Sequence, residues 1–308
     1  MRSQVSQVSW EVALIVALLL IGMTIITGSI GRRVKSEPGM DLLDWARARV
    51  KSWWLIVAFV LVAKYGGSGM TIFLMAFISA YALREFYSLT PTSRSDHYTV
   101  AAAFYIVLPL QYTWIGIGWY AMFVIFIPMY AYLFLPLLSL FRQDTNNFLA
   151  RVSTVQWGLM AAVFCISHLA ALMGLELIDF QRGGHYLVIY LLLVVQLSES
   201  VQEFVDRTIG KIKLAARIDP GRTVEGLVAG LTTGVFVGIL LSRYTPFSVG
   251  NAFVIAFSTT LAANLGSLTL AAIKVDRGVK DFGGVMDRFQ GVCFAAPLYF
   301  HLVRYLYA

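Results

Sequence analysis

Residues 223–243 read TVEGLVAGLTTGVFVGILLSR, and this stretch decides the fold class. No charged residue occurs between Glu225 and Arg243, and the apolar run approaches the roughly 20 residues that a helix needs to cross a bilayer. Glycine recurs at every fourth position of the run, as Gly226, Gly230, Gly234 and Gly238. Because positions four apart share one helix face, the stretch predicts a membrane helix whose glycine face a neighbouring helix approaches closely. Packing within the chain is the favoured interpretation, and packing between two copies in a homodimer stays open.

The rest of the 308-residue chain repeats this apolar pattern. Hydrophobic residues make up 58% of the sequence and charged residues 13%, and the mean hydropathy is +0.73. This composition is typical of integral membrane proteins. The apolar runs predict about ten membrane helices, at residues 10–30, 52–68, 70–89, 98–115, 118–140, 154–176, 185–204, 223–243, 248–273 and 288–306. We therefore predict an all-α polytopic membrane protein that forms one domain over residues 1–308, with the N-terminal helices in residues 1–180.

The distribution of lysine and arginine sets the predicted orientation. Loops that stay in the cytoplasm carry an excess of these residues, and the excess falls on alternate loops when the N-terminus lies outside. The chain is therefore expected in a bacterial-type inner membrane with its active face toward the cytoplasm. The same bias, with its attraction to anionic lipid, accounts for the net charge of +7, so no nucleic-acid partner is expected.

Two further features belong to the predicted membrane surface. Residues 39–53 place apolar side chains at positions 42, 46, 50 and 53 with bases between them, which predicts a short helix lying in the interface. At the end of the span 70–89, the neighbours Arg84 and Glu85 are predicted to form an ion pair with a structural role.

Three polar regions on the predicted cytoplasmic side are candidates for chemistry. The first is SESVQEFVD at residues 198–206, which ends an apolar helix. Ionisable groups at such a depth are costly unless they face a cavity or a partner, and Glu199 and Gln202 are close enough in sequence to share a helix face. A polar helix end that frays into water is the alternative interpretation.

The second region is the basic loop GKIKLAARIDPGRTVEG at residues 210–226. Its DPG motif at 219–221 predicts a turn, and the threonine that follows is a plausible N-cap for the next helix. A helix start with bases beside it suits a phosphate ligand. The side chains suited to such a ligand are Lys213 and Arg222, while Glu225 is in the first turn of the predicted helix. An ordinary loop with a capped helix remains the alternative.

The third region is KVDRGVKDFGGVMDR at residues 274–288, which we call the charged strip. Acids alternate with bases in it, whereas a loop that only sets orientation needs bases alone. Mixed charge at a membrane face suits the binding of an anionic headgroup together with a metal. The preceding helix carries Asn264 and Ser267 three positions apart, which gives it one polar face.

Together the three regions resemble the phosphatidate cytidylyltransferase (CDP-diacylglycerol synthase) family over residues 185–305. The segment KLAARIDPGRTVEG at 213–226 matches the family loop K-x-x-P-x-x-S-P-G-K-T-x-E-G. Ser198-Glu199 stands at the family's Asn-Asp pair, and Gln202 and Gly210-Lys211 are in register with it. The charged strip matches the signature S-x-x-K-R-x-x-G-x-K-D and G-G-x-x-D-R-x-D at Lys274, Gly278, Lys280, Asp281, Gly283, Gly284, Asp287 and Arg288.

The resemblance implies transfer of CMP from CTP to phosphatidate or a related lipid phosphate, with release of pyrophosphate, in phospholipid biosynthesis. It implies Mg²⁺, alone or with a second metal ion, that bridges phosphate oxygens. The implied catalytic residues are Lys280, Asp281 and Asp287, and the implied metal ligands are Ser267, Asp281 and Asp287. The implied nucleotide and phosphate contacts are Glu199, Gln202, Lys213, Arg222, Thr223, Glu225, Lys274 and Arg288. We expect these residues in a cytoplasm-facing polar cavity of the C-terminal half.

The sequence departs from the family at several polar positions. Ser267 stands where the family has the Asp of G-D-L-x-E-S, Gln290 replaces the last Asp of the closing signature, and the family's P-G-H-G segment is missing after Asp281. Three hypotheses therefore stay open. The chain is a divergent lipid cytidylyltransferase, or a family member that kept the fold, lost turnover and acts as a lipid-binding or partner membrane subunit. The third is a transporter or an unrelated scaffold, which broken helices near the bilayer midplane would support.

Overall fold

The computed structural model describes residue 24 and residues 37–90, 96–178, 180, 183–279 and 284–308. In these ranges the chain forms eight long helices and one short hairpin. The helices are α1 (Glu37–Leu89), α2 (His97–Gly116), α3 (Tyr120–Leu140), α4 (Phe148–Met173), α5 (His185–Thr208), α6 (Val224–Leu241), α7 (Val249–Arg277) and α8 (Val285–Tyr307). The strands are β1 (Lys213–Ala215) and β2 (Asp219–Thr223), which pair antiparallel. The predicted all-α polytopic fold is confirmed, and the hairpin is a small addition to it.

Among the described residues, seven helical segments are long and apolar enough to cross a membrane. They are Tyr65–Leu89, His97–Gly116, Tyr120–Leu140, Phe148–Met173, His185–Thr208, Val224–Tyr244 and Val249–Arg277. Large apolar side chains such as Phe73 and Phe236 are exposed on them, as expected of surfaces that face lipid. Of the other predicted spans, 288–306 lies in α8, 52–68 is helical within α1, and 10–30 lies outside the described residues apart from Thr24. The number of about ten spans stays a prediction.

The predicted interfacial segment 39–53 is helical and belongs to α1. Backbone geometry departs from the helix at Gly67, where φ is +72°. This residue falls where the predicted spans 52–68 and 70–89 meet, and a positive φ is a conformation that glycine adopts without steric cost.

Several helix boundaries differ from the prediction by a few residues, and two of the differences involve charged residues. Helix α4 starts at Phe148 rather than residue 154, because Arg151 is buried within the helix and bonded to Asp96 Oδ1 (3.1 Å) and Asp144 Oδ2 (3.0 Å). Helix α7 continues to Arg277 rather than residue 273 and ends at Gly278, where φ is +67°. The charged strip therefore begins as the last turn of α7 and finishes as the first turn of α8.

The predicted turn at residues 219–221 is wrong, since these residues form most of strand β2. The chain turns earlier, where Ile218 N donates to Ala215 O (2.9 Å). Pro220 is tolerated in the strand because the paired residues on β2 are Asp219 and Thr223, so its missing N–H removes no ladder bond.

The glycine face of α6 packs against helices of the same chain. The buried residues of this helix are Gly226, Gly230, Gly234 and Gly238. A Cβ at Gly230 would press on Gln202 of α5, and one at Gly234 would press on Thr260 of α7. Packing within the chain is thus confirmed, and it brings α5, α6 and α7 close together at the end that carries the polar regions.

Candidate active site

Glu199 lies at the junction of helices α5, α7 and α8. Its Oε1 accepts from Ser267 Oγ of α7 (3.4 Å), and its Oε2 accepts from Gln196 Nε2 of α5 (3.4 Å). On the α8 side the carboxylate lies against Gly291, where a Cβ would collide with Oε1. The glycine therefore makes room for an acid between three helices, well inside the end of α5.

A second acid, Asp287, lies further along the interface between α7 and α8, which we call the seam. Its Oδ1 is 2.5 Å from Lys274 Nζ, and the two side chains are 23% and 13% exposed. Lys274 Nζ also donates to Gln290 Oε1 (3.5 Å). Asp287 is one turn before Gly291 on α8, and Lys274 is two turns after Ser267 on α7. The Lys274–Asp287 pair is therefore about 6 Å along α8 and about 10 Å along α7 from the Glu199–Ser267 pair.

The hairpin connects to this seam through Arg222. Its Nε donates to Asp219 Oδ2 (3.1 Å), and its Nη1 donates to Asn264 Oδ1 of α7 (3.4 Å). Asn264 is buried, and its Nδ2 donates to Thr260 O (3.0 Å), which fixes the amide orientation. Because Asn264 precedes Ser267 by three positions, Arg222 brings a cation to the face that also meets Glu199.

Thr223 and Glu225 bond to the hairpin and to the start of α6. Thr223 Oγ1 accepts from Gly226 N (3.1 Å) and donates to Asp206 Oδ1 (2.6 Å), which confirms Thr223 as the N-cap. Glu225 Oε2 accepts from the backbone N–H groups of Lys211 (3.2 Å) and Ile212 (3.1 Å). These bonds hold the hairpin on α6, and the implied phosphate contacts of the two residues stay predictions.

The remaining implied residues lie in different surroundings. Gln202 is buried at 3% exposure beside Gly230, and neither its Nε2 nor its Oε1 has a hydrogen-bond partner among the described residues. Lys213 and Arg288 are exposed, on β1 and in the first turn of α8. Lys280 and Asp281 lie outside the described residues. The structure thus brings together Glu199, Ser267, Arg222, Lys274 and Asp287, which we call the seam cluster.

Three residues with a clear place near this cluster were missed as site residues. Asp219 orients Arg222, Asp206 accepts from both Thr223 N and Thr223 Oγ1, and Asn264 joins the hairpin to α7. The polar spacing of Asn264 and Ser267 was a usable signal for one of them. Their partners, up to 42 positions away in sequence, had no local signal.

A fourth missed residue is Glu85, whose predicted ion pair with Arg84 is wrong. Its carboxylate instead accepts from the backbone N–H groups of Val285 (3.0 Å) and Met286 (2.9 Å). The contact connects the end of α1 to the first turn of α8, next to Asp287.

The described carboxylates suit a metal ion that arrives with a nucleotide. No group of three or more His, Cys, Asp or Glu side chains with metal-binding geometry occurs in the described ranges. Glu199 and Asp287 are the two acids of the seam cluster. Mg²⁺ commonly uses one or two carboxylates and completes its octahedron with water and substrate phosphates. The two acids therefore fit Mg²⁺ whose coordination is completed by phosphate oxygens and water.

The sequence is similar to known proteins over most of its length. The model of the cytidylyltransferase family matches residues 47–306. The uncharacterized protein YnbB of Escherichia coli (strain K12) is 30% identical over 93% of this chain and 95% of its own length. The phosphatidate cytidylyltransferase of Staphylococcus saprophyticus is 28% identical over 48% of this chain and 61% of its own length. That of Haemophilus influenzae is 34% identical over 38% and 45%, respectively.

The two named phosphatidate cytidylyltransferases are thus matched over less than two thirds of their length. The family match, in contrast, includes α5 to α8 and the hairpin, which carry the whole seam cluster. The resemblance inferred from the three polar regions is confirmed, and the chain belongs to the cytidylyltransferase family.

Proposed function

We propose that the protein transfers CMP from CTP to phosphatidate or a related lipid phosphate and releases pyrophosphate. The observation that carries this proposal is the seam cluster, in which two cations and two acids from four parts of the chain lie within about one to two helical turns of each other at one end of the helices. Arg222 comes from the hairpin, Glu199 from α5, Lys274 from α7 and Asp287 from α8. Family membership supports the reaction class.

The reaction joins two anions, so positioning and charge neutralisation provide most of the catalysis. A phosphate oxygen of the lipid attacks the α-phosphorus of CTP, the new P–O bond forms, and the bond to the β-phosphate breaks. The electron pair leaves on pyrophosphate, and no proton has to be removed from the attacking oxygen. Arg222 offers a planar fork that matches phosphate oxygens, and Lys274 offers an ammonium that bonds phosphates as well as carboxylates.

Mg²⁺ is part of this proposal. Asp287 would hold one ion, with Asp281 as a further candidate outside the described residues, and Ser267 with Glu199 would hold a second ion about one to two turns away along the seam. When bound, Mg²⁺ supplies positive charge that offsets the charge developing on the phosphate oxygens. Lys274 contributes charge at the same place, since it already neutralises Asp287.

The test is an assay of the purified protein with labelled CTP, Mg²⁺ and phosphatidate, scored for CDP-lipid. We expect Asp287→Asn to lower turnover about 100-fold or more, the size seen when one electrostatic group is removed from a site. Asp276→Asn is the matched control, because Asp276 belongs to the same strip but its side chain is 74% exposed. A folded wild-type protein that forms no CDP-lipid from any common lipid phosphate would refute the proposal.

A second candidate function is lipid binding without turnover. It is favoured by Ser267, which stands where the resemblance implies an acid, and by the Asp287–Lys274 contact, which leaves less negative charge for a dication. Protein in lipid nanodiscs would then bind phosphatidate without consuming CTP. Product formation in the same preparation would exclude this alternative.

We further propose that the seam cluster faces the cytoplasm, in keeping with the lysine and arginine bias. A cysteine placed at the exposed hairpin residue Arg217 should react with a membrane-impermeant maleimide only after cells are opened. A cysteine at Val249, at the other end of α7, should react in intact cells. The native Cys165 and Cys293 are buried and give little background. The reverse labelling pattern would overturn the orientation.

A further inference from the structure

Glu85 occupies the start of α8 although it lies on α1. Its Oε1 accepts from Val285 N (3.0 Å) and its Oε2 from Met286 N (2.9 Å). The first N–H groups of a helix have no partner within that helix, and a negative charge at this end is favourable. No side-chain cap from residue 284 is possible, because that residue is glycine. Glu85 therefore supplies from a distant segment the cap that α8 does not supply itself.

Gly284 is the residue that lets Glu85 approach so closely. A Cβ at this position would collide with Glu85 Oε1 and lie 2.7 Å from Glu85 Cδ, and the three nearest atoms all belong to Glu85. Any larger residue at 284 has to displace this one side chain. The requirement for glycine is thus a requirement set by Glu85.

The capped turn carries an acid of the seam cluster. Val285 and Met286 directly precede Asp287, so the two backbone bonds fix the turn that points Asp287 toward Lys274. Glu85 contacts this turn through the backbone of its first residues. A shift of about 1 Å in a group that positions substrate is enough to cost about 100-fold in rate.

We infer that Glu85 is a positioning residue for the proposed CMP transfer: it holds the first turn of α8, and through it Asp287, while Gly284 provides the space. The inference rests on the proposed function for its effect on turnover. The contact itself does not depend on that function, and the two parts are tested separately.

The first test is a double-mutant cycle of Glu85→Ala and Gly284→Ala in the CDP-lipid assay. Each single substitution should lower kcat about 100-fold, with the KM for CTP within about threefold, since Arg222 and Glu199 are untouched. The double variant should be no slower than Glu85→Ala, because the added methyl group then has no carboxylate to displace. Multiplied losses, or a raised KM at unchanged kcat, would overturn the positioning role.

Two variants guard against a simple folding defect. Glu85→Gln keeps one acceptor oxygen and should give a kcat between those of wild type and Glu85→Ala. Arg84→Ala changes the exposed neighbour of Glu85 and should leave kcat within about twofold of wild type. A Glu85→Gln variant as slow as Glu85→Ala would remove backbone capping as the cause.

The second test measures amide hydrogen exchange in the segment 285–290 of the purified protein. Glu85→Ala should make these amides exchange about tenfold faster or more, because the turn then opens locally, while amides of α6 keep their rates. Unchanged exchange would refute the contact. Faster exchange in a protein whose wild type forms no CDP-lipid would uphold the contact and refute the proposed function, so the two failures are distinguishable.

Discussion

The acids that hold the hairpin in place and the acids of the seam cluster have different kinds of partner. At the hairpin, Asp206 of α5 accepts from Thr223 N (2.8 Å), and Glu225 of α6 accepts from the N–H groups of Lys211 and Ile212. In the seam, Asp287 meets the ammonium of Lys274, and Glu199 meets the hydroxyl of Ser267. Backbone donors cannot leave without unfolding the segment, whereas side-chain donors can turn toward a ligand.

This difference in bonding partners distinguishes a structural role from a ligand-binding role, which the sequence alone does not distinguish. Both regions match the family signature, and both carry implied phosphate contacts. The hairpin contacts fix one segment on another and keep Arg222 in place, while the seam contacts leave charged groups that a phosphate chain and its metal can recruit. Substitutions in the hairpin should therefore act on stability, and substitutions in the seam on turnover.

The largest effect is expected for Lys274→Ala. The substitution removes the ammonium that contacts Asp287 and a proposed phosphate contact, so CDP-lipid turnover should fall about 100- to 1000-fold. The assay is the one described above, at saturating CTP. Lys211→Ala, an exposed lysine of the hairpin region, is the matched control, and a loss of equal size there would erase the distinction between the two regions.

Asp206→Ala should lower stability rather than turnover. It leaves Thr223 N and Thr223 Oγ1 without their acceptor, so the free energy of unfolding in detergent should fall by about 2–3 kcal/mol. Turnover per folded molecule should change less than about threefold. Glu203→Ala removes an exposed ion pair with Arg207 and should cost at most about 0.5 kcal/mol. A large turnover loss in folded Asp206→Ala would mean that the hairpin takes part in chemistry.

Ser267→Asp tests whether Mg²⁺ binds at the seam near Glu199. The new acid would lie near Glu199, which already accepts from the Ser267 hydroxyl (3.4 Å), so repulsion should destabilise the protein in EDTA. Mg²⁺ should restore stability, and the concentration for half-maximal turnover should fall about tenfold, since a carboxylate attracts a dication more strongly than a hydroxyl does. A variant whose stability and turnover do not respond to Mg²⁺ would place the metal elsewhere.

The smallest effect is expected for Thr223→Val. The substitution keeps the side-chain shape but removes the cap of α6 and the donor to Asp206. The unfolding free energy should fall by about 1 kcal/mol, measured by thermal melting in detergent. If turnover falls instead while stability is kept, the implied phosphate contact of Thr223 is supported over its role as a cap.

The sequence predicted the fold and much of the seam because both depend on local patterns. Apolar length identified the helices, and the spacing of four identified the glycine face of α6. Lys274 and Asp287 were recognisable from the charged strip. The strip alone did not reveal that α7 continues to Arg277 and ends at Gly278. This extension places Lys274 on the helix, on the side of the seam.

The missed features depend on the partners that a residue finds after folding, some nearby in sequence and some far away. The turn at 219–221 was expected from composition, but pairing with β1 makes it a strand. Arg151 looked like a loop residue until Asp96 and Asp144 neutralised it inside α4. Glu85 appeared to have a partner next to it in sequence, and its real partners are on α8. Local propensity does not encode such partners.

The contact between Glu85 and Val285 can form only late in protein synthesis, because the two residues are 200 positions apart. The bond from Thr223 N to Asp206 spans only 17 positions and becomes possible as soon as α6 begins to emerge. At about 5–20 residues per second, α8 leaves the ribosome roughly 10–40 s after α1. A nascent chain therefore completes its hairpin before α8 begins, and the seam acids cannot come together until translation is almost finished.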